Sequence, residues 1–240
     1  SEKAYSNAIN MGNTEKETLY SMYQKGVVLG LQRKYNEKIK VLESLVSMYP
    51  RSEYSDKALF EIAQAYVALK DSRRAIDSYT RIEKLYSKGK MAKRASLEKG
   101  LLYYNMNENE NALNAFQQVV TNFPESEEAK TALESIEVIY TENNKVDAYS
   151  SFLKSVGKEG YLEPAKEDSL TFVAAERSFM NDGCKASENF ENYLSKYPEG
   201  RNKISAHNYL ASCYYENKDY DKSLEHYELL ASYKGFSNEE

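Results

Sequence analysis

Two histidines, His207 and His226, and two cysteines, Cys184 and Cys213, are the only imidazoles and thiols in a chain of 240 residues. These groups bind zinc and serve nucleophilic catalysis, so such chemistry would have to start from them. Neither histidine has a second His or a Cys at metal-ligand spacing, and no metal or other cofactor is expected. Cys184 lies in the polar turn Asn181-Asp182-Gly183-Cys184 with no base in sight to activate it. The cysteines are 29 residues apart; a disulfide is one reading, and unpaired buried thiols are the preferred one. Carboxylate pairs such as Glu127/Glu128 and Glu239/Glu240 read as solvated helix faces, because acid-base work needs an enclosed pocket. Gly26-Val27-Val28-Leu29-Gly30 has the spacing of membrane helix dimers, but Lys25 and Arg33 flank it too closely for a bilayer. With no phosphate-binding glycine loop either, no enzyme is expected.

The elements that carry these residues follow from composition and period. Hydrophobic residues make up 41% of the chain and charged ones 29%, with only 10 Gly and 4 Pro, which points to helices rather than a turn-rich sandwich. The 37 acids and 32 bases give a net charge of -5 and are interleaved along the chain, which argues against a nucleic-acid partner. No uncharged stretch approaches the roughly 18 to 20 apolar residues of a membrane span.

Pro50, Pro124 and Pro198 are separated by 74 and 74 residues, and each follows an aromatic: Tyr49, Phe123, Tyr197. Half that step is 37, which from Tyr49 reaches Tyr86. Small-then-large pairs repeat the period at Ala75/Tyr79, Ala112/Phe116, Ala148/Phe152, Ala186/Phe190 and Ser223/Tyr227, with steps of 37, 36, 38 and 37. Lys38/Leu42 stands one period upstream, without the small residue. Each unit holds two amphipathic stripes of helical period: Ala58, Leu59, Ile62, Ala63, Tyr66 and Leu69, then Ala75, Ile76, Tyr79, Ile82 and Leu85. Proline ends the second helix, and Ser52 and Ser126 are candidate caps for the next first helix. The small residues allow two backbones to approach, and Tyr79 and Phe116 fill the groove one turn on.

These positions carry a resemblance. Gly100, Tyr103, Ala112, Phe116 and Pro124, matched by Ala63, Tyr66, Ala75 and Tyr79, resemble the signature of the tetratricopeptide repeat. The lengthened unit and the strings Tyr49-Pro50-Arg51-Ser52 and Phe123-Pro124-Glu125-Ser126 look like the long-period branch found in bacterial outer-membrane assembly lipoproteins and TolA-binding proteins. The sequence departs from the pattern at Lys25 and Lys99, where the family has an apolar residue, and in the fourth unit, which offers Ile136 for glycine and no proline.

The resemblance implies an all-α, right-handed solenoid of about six helix-turn-helix repeats, with first helices lining a concave groove. The chain then reads as one array: residues 1–16 end a preceding repeat, with Ala4, Ala8 and Ile9 on its last helix. Repeats follow at 17–53, 54–90, 91–126, 127–164, 165–201 and 202–236, with the loosest stretch at Gly157 to Asp168. A start at Ser1 and an end on a second helix read as a window cut from a longer protein. Family members are mostly non-enzymatic scaffolds that bind a protein or peptide, and the resemblance implies a bacterial envelope complex, with periplasm or outer membrane as the expected compartment. The implied groove positions are Lys57, Phe60, Gln64 and Val67, then Arg94, Leu97, Leu101 and Tyr104, then Lys130, Leu133, Glu137 and Tyr140. Gln64, Leu101 and Glu137 stand where carboxylate-gripping members have Asn and Lys, so that mode is not expected. A self-associating spacer, or the repeat region of a larger regulatory or enzymatic protein, is the alternative.

Overall fold

The computed structural model describes residues 2–11 and 14–233, and among them there are helices and no strand. The helices are α1 (Glu2–Met11), α2 (Glu15–Leu31), α3 (Tyr35–Met48), α4 (Ser55–Ala68), α5 (Ser72–Leu85), α6 (Ala92–Asn105), α7 (Asn109–Asn122), α8 (Glu127–Glu142), α9 (Val146–Ser155), α10 (Pro164–Asp182), α11 (Glu188–Lys196), α12 (Lys203–Glu216) and α13 (Tyr220–Ser232). From α2 onward they form consecutive pairs joined by short turns, an all-α solenoid of tetratricopeptide type. The Glu239/Glu240 pair, the last residues of the repeat expected at 202–236, and the side chains of Ala4 and Ala8 lie outside the described residues. Where the sequence reads as one array, the packing resolves two compact units, residues 1–134 and 135–240, and α8 gives its first half to one and its second half to the other.

The turn inside each pair is built the same way. Arg33, Lys70, Asn107, Asn144 and Lys218 all have positive φ, between 51° and 64°. In the first of these turns the Arg33 N–H donates to Gly30 O and the Lys34 N–H to Leu29 O, so the last carbonyls of α2 are satisfied by a left-handed cap. Lys70/Asp71, Asn107/Glu108, Asn144/Lys145 and Lys218/Asp219 repeat the two bonds. The first four positions are 37 residues apart and the fifth twice that, so the period is constant through the fourth repeat. Only the fifth pair departs: α10 runs on to Asp182 and turns at Gly183, φ 59°.

That constant step corrects one element of the sequence reading. Ala148, expected as the small core residue of the fourth repeat, is exposed, while Tyr149 and Leu153 are buried. Counting 37 from Ala112 and Phe116 lands on Tyr149 and Leu153; the uneven steps of 36 and 38 came from seeking a small residue where this repeat has a large one. By the same count the position of Gly26, Ala63 and Gly100 falls on Glu137, not Ile136. Ile136 is buried in its own right.

In the first unit the core runs through α2 to α7. A Cβ on Gly26 would meet Leu42 Cδ2 at 2.4 Å, and one on Gly100 would meet Phe116 Cε1 at 2.5 Å. Glycine is therefore what lets each second helix seat its large side chain against the first. Lys38, which takes the place of Ala75 and Ala112, is 5% exposed and its ammonium reaches Glu61 at 2.5 Å. Lys99 is likewise buried and paired with Glu83, which also accepts from Ser96. Both substitutions of cation for small or apolar residue are thus neutralised from the neighbouring pair. Ser126 caps α8 by accepting the Ala129 N–H at 3.1 Å. Ser52 does not cap α4: it accepts from the Tyr54 N–H and shares a bond with Ser55.

In the second unit Phe172, Phe190, Tyr193, Ala206 and Leu210 form the core, with Phe190 stacked on Tyr209 at 4.6 Å. Tyrosines here end on carboxylates. Tyr193 donates to Asp168 at 2.5 Å, Tyr209 to Glu176 at 2.9 Å, Tyr149 to Glu137 at 3.1 Å, and Tyr214 to Glu191. Burial first, and then the carboxylate partner, raises the Tyr193 and Tyr214 phenols to about 12. Pro164 opens α10 at its first turn, where a missing N–H costs nothing, so the stretch expected to be loosest ends there.

Candidate interaction surface

The first-helix face of the first unit assembles in repeat-equivalent rows. Tyr20, Lys57 and Arg94 stand 37 residues apart, and so do Tyr23, Phe60 and Leu97. Tyr54 packs against both Tyr20 and Tyr23, at 6.4 and 5.3 Å between ring centroids, and the Lys57 ammonium lies 5.2 Å over the Tyr54 ring. Phe60 is 3% exposed, its ring 5.4 Å from Tyr79 and covered by the Arg94 guanidinium at 4.9 Å. A cation held over an aromatic face keeps its charge at the surface while its stem shields the ring. Burial, aided by Glu61 and Asp56, raises the Tyr23 phenol.

The other expected groove residues divide by environment. Gln64, Leu97, Leu101 and Tyr104 are half-buried, and Val67 is 42% exposed. Lys130 is exposed and pairs with Glu127 at 2.7 Å, whereas Leu133 is buried. Lys130 and Leu133 are one residue out of register with the rows above, whose equivalents on α8 are Thr131 and Glu134. In the second unit Glu137 accepts from Tyr149 and from Lys166 at 2.6 Å, and Tyr140 packs 6.1 Å from Tyr149. Glu137 and Tyr140 thus align with Gly100 and Tyr103, not with Leu101 and Tyr104. Of the expected groove residues, the structure brings Phe60 and Arg94 into direct contact.

The chemistry-bearing residues meet in the second unit. Cys184 and Cys213 form a disulfide, with Cα atoms 5.2 Å apart, which corrects the expectation of unpaired thiols. The long α10 and its turn at Gly183 carry Cys184 to the face of α12 where Cys213 is buried. His207 on α12 and His226 on α13 bring their Nδ1 atoms to 2.8 Å, and Tyr214 stacks on His226. Burial depresses both imidazoles; for His207 the neighbouring His226 and Lys203 add to it, and for His226 Lys222 adds while Glu225 and Glu191 oppose. Among the described residues no group of three or more His, Cys, Asp or Glu side chains could hold a metal ion, and no helix is long and apolar enough to cross a membrane.

The family model described as YfiO, outer membrane lipoprotein, matches residues 15–142, more than half of the chain. The chain belongs to the YfiO outer membrane lipoprotein family. No curated protein matches it. Among solved structures, it is similar to a tetratricopeptide repeat protein from Parabacteroides merdae at 15% identity and TM-score 0.50, over 99% of this chain and 87% of that one. MamA aligns at 19% identity and TM-score 0.50, over 67% of this chain and 86% of that one. A structure titled Naa15/Naa10 bound to HypK-THB aligns at 13% identity and TM-score 0.61, over 95% of this chain and 33% of that one. At these identities the likeness is one of fold.

The YfiO-family match begins with α2, so it includes three aromatic residues of the surface that sequence reasoning passed over: Tyr20, Tyr23 and Tyr54. The signal for two of them was present. Extending the rows of Lys57 and Phe60 one period upstream reaches Tyr20 and Tyr23. Tyr54 lies just before α4, outside either amphipathic stripe, and had no periodic signal to find it.

Proposed function

We propose that the chain is a non-enzymatic scaffold that binds a segment of another protein along the first-helix face of its first unit, in a bacterial cell-envelope assembly. The observation that carries this reading is a cation held over an aromatic ring on two successive first helices, Lys57 over Tyr54 beside Tyr20 and Tyr23, and Arg94 over Phe60. Rigid aromatic and arginine side chains contribute most per residue at protein interfaces, because they present large area for little lost freedom. Lys57, Gln64, Val67, Arg94, Leu97, Leu101 and Tyr104 are the proposed contacts. On α8 the same row continues through Thr131 and Glu134, while Glu137 is engaged by Tyr149 and Lys166. Family membership supports the envelope as the compartment, and the disulfide suits an oxidising one.

Photoreactive side chains placed singly at Val67 and Arg94, in the full chain in its native cell, test this reading. Cross-links to another protein from these positions, and none from Lys40 on a second helix, are expected. Equal products from both faces would refute a first-helix site, and a product of twice the chain's own mass would favour the self-associating spacer.

A further inference from the structure

The interleaving of charge breaks down in favour of cations on the edge between α5 and α6. From Lys84 to Arg94 the chain reads Lys84-Leu85-Tyr86-Ser87-Lys88-Gly89-Lys90-Met91-Ala92-Lys93-Arg94, five cations with no acid, in a protein of net charge -5. This is the link between α5 and α6, the one junction in the first unit where serine replaces the proline. Lys93 pairs with Glu128 at 3.1 Å and Arg94 lies over Phe60. Lys84, Lys88 and Lys90 are exposed and make no ion pair among the described residues. Arg51, on the preceding link, is exposed and unpaired as well.

The backbone at this edge is held in place. Tyr86 donates its hydroxyl to Pro50 O at 2.6 Å, tying the two links side by side, and Asp56 accepts the Met91 N–H at 3.4 Å. Clefts open on both flanks. One of about 300 Å³ is lined by residues that include Ser52, Lys57, Tyr86, Lys88 and Lys90. The other, about 420 Å³, is lined by residues that include Ser87, Lys88, Ser96, Gln118 and Asn122. Two of the acids in the cleft walls are already engaged, Glu83 by Lys99 and Ser96, and Asp56 by the Lys57 and Met91 N–H groups; the third, Glu53, faces Lys57, Lys88 and Lys90 in the smaller cleft. The lysines outnumber that one acid, so the edge keeps a net positive charge. Leu85, 64% exposed, offers an apolar contact beside them.

We propose that this edge is a docking site for an acidic peptide segment of a partner protein, its carboxylates on Lys84, Lys88 and Lys90 and an apolar side chain on Leu85. Clefts furnished with hydroxyl and amide groups suit a chain that enters them better than the flat array of headgroups of an anionic membrane. The proposal rests on the scaffold reading and adds the chemistry of a second contact. Electrostatic complementarity of this kind raises association rates and makes binding fall with salt.

The test uses the full chain and a fluorescein-labelled decapeptide of alternating Glu and Leu, read by anisotropy at low and high salt, with vesicles of equal phosphatidylglycerol and phosphatidylcholine as the second probe. The triple variant Lys84→Glu, Lys88→Glu, Lys90→Glu is expected to bind the peptide at least tenfold more weakly at low salt with an unchanged melting temperature. The charge-matched variant Lys40→Glu, Lys145→Glu, Lys154→Glu is expected to bind as the parent does. Equal losses in both variants, no loss in the first, or flotation with the vesicles without peptide binding would overturn the proposal. Because the cross-linking positions Val67 and Arg94 are unaltered in these variants, failure here leaves the first-helix reading standing, and the converse holds.

Discussion

Substituting Gly100 by Ala should destabilise the parent chain and stabilise a variant that lacks Phe116. In the parent, the new Cβ would lie 2.5, 2.6 and 3.0 Å from Cε1, Cδ1 and Cζ of Phe116, a ring that is fully buried and has nowhere to retreat. Overpacking of that kind costs about 1–3 kcal/mol. Against it stands the helix propensity of Ala over Gly, roughly 1 kcal/mol in a helix interior. The net effect is a loss of up to about 2 kcal/mol. Phe116→Ala by itself should cost about 3–5 kcal/mol, since it empties a buried site. In that background the added methyl meets no ring, so Gly100→Ala returns roughly its 1 kcal/mol of propensity. The sign of one substitution thus reverses with the second, a coupling of about 1–3 kcal/mol in a double-mutant cycle. Because a repeat array need not unfold in one step, the appropriate assay is native-state hydrogen exchange of the α6 and α7 amides, supported by urea titration. Gly100→Ala that stabilises the parent by the full propensity term, or that acts equally in both backgrounds, would refute the close crossing of these helices.

Three further perturbations test separate parts of the fold. Glu61→Ala should cost about 3 kcal/mol because it leaves the Lys38 ammonium buried without a counterion, whereas Lys38→Met should fall within about 1 kcal/mol of the parent because Glu61, a quarter exposed, can take up water; thermal melts of the two variants, equal in size, would contradict this. Reducing the Cys184–Cys213 disulfide opens a loop of 29 residues and should lower the stability of the second unit by about 3.6 kcal/mol on the chain-entropy model, leaving protection in α4 to α7 unchanged; exchange rates measured with and without reductant decide it. His207 and His226 share one hydrogen bond between like atoms, so both cannot be protonated without placing two N–H groups nose to nose. Their folded pKa values lie below the ordinary 6.5, so the unfolded chain takes up protons first as pH falls. Packing of α13 on α12 should therefore be intact above about pH 7 and weaken progressively below 6.5, which His207→Gln should blunt; a flat exchange profile for α13 between pH 7 and 5 would be inconsistent with the pair.

The repeat was legible because its markers are chemical as well as periodic: aromatic residues before proline, and small residues four before large ones, survive any uncertainty about helix ends. Where a marker changed chemical type, the reading slipped. Tyr149 and Glu137 stand at the repeat positions of Ala112 and Gly100 and are joined by a hydrogen bond, and a search for small residues stepped aside to Ala148 and Ile136. The left-handed turn residue is Arg, Lys, Asn, Asn or Lys, so it has a spacing but no type to recognise. The disulfide and the histidine pair depend on which faces of α10, α12 and α13 meet, and side-chain periodicity within one helix carries no such information. At the surface, Arg94 and Lys57 were found as cations but not as lids on aromatic rings, since stacking across helices is set by the crossing and not by sequence spacing.

The disulfide has a mechanical consequence. A chain pulled from its ends extends by roughly 3.5 Å for each residue released, so the 29-residue segment closed by Cys184 and Cys213 would contribute about 100 Å of contour length if it were free to open. With the bridge intact that slack is withheld: tension passes from the turn after α10 to the end of α12 across two sulfur atoms, and α11 and most of α12 bear no load. An oxidised chain under strain therefore acts as a shorter tether than its sequence would allow, and its reach lengthens by that fixed increment on reduction.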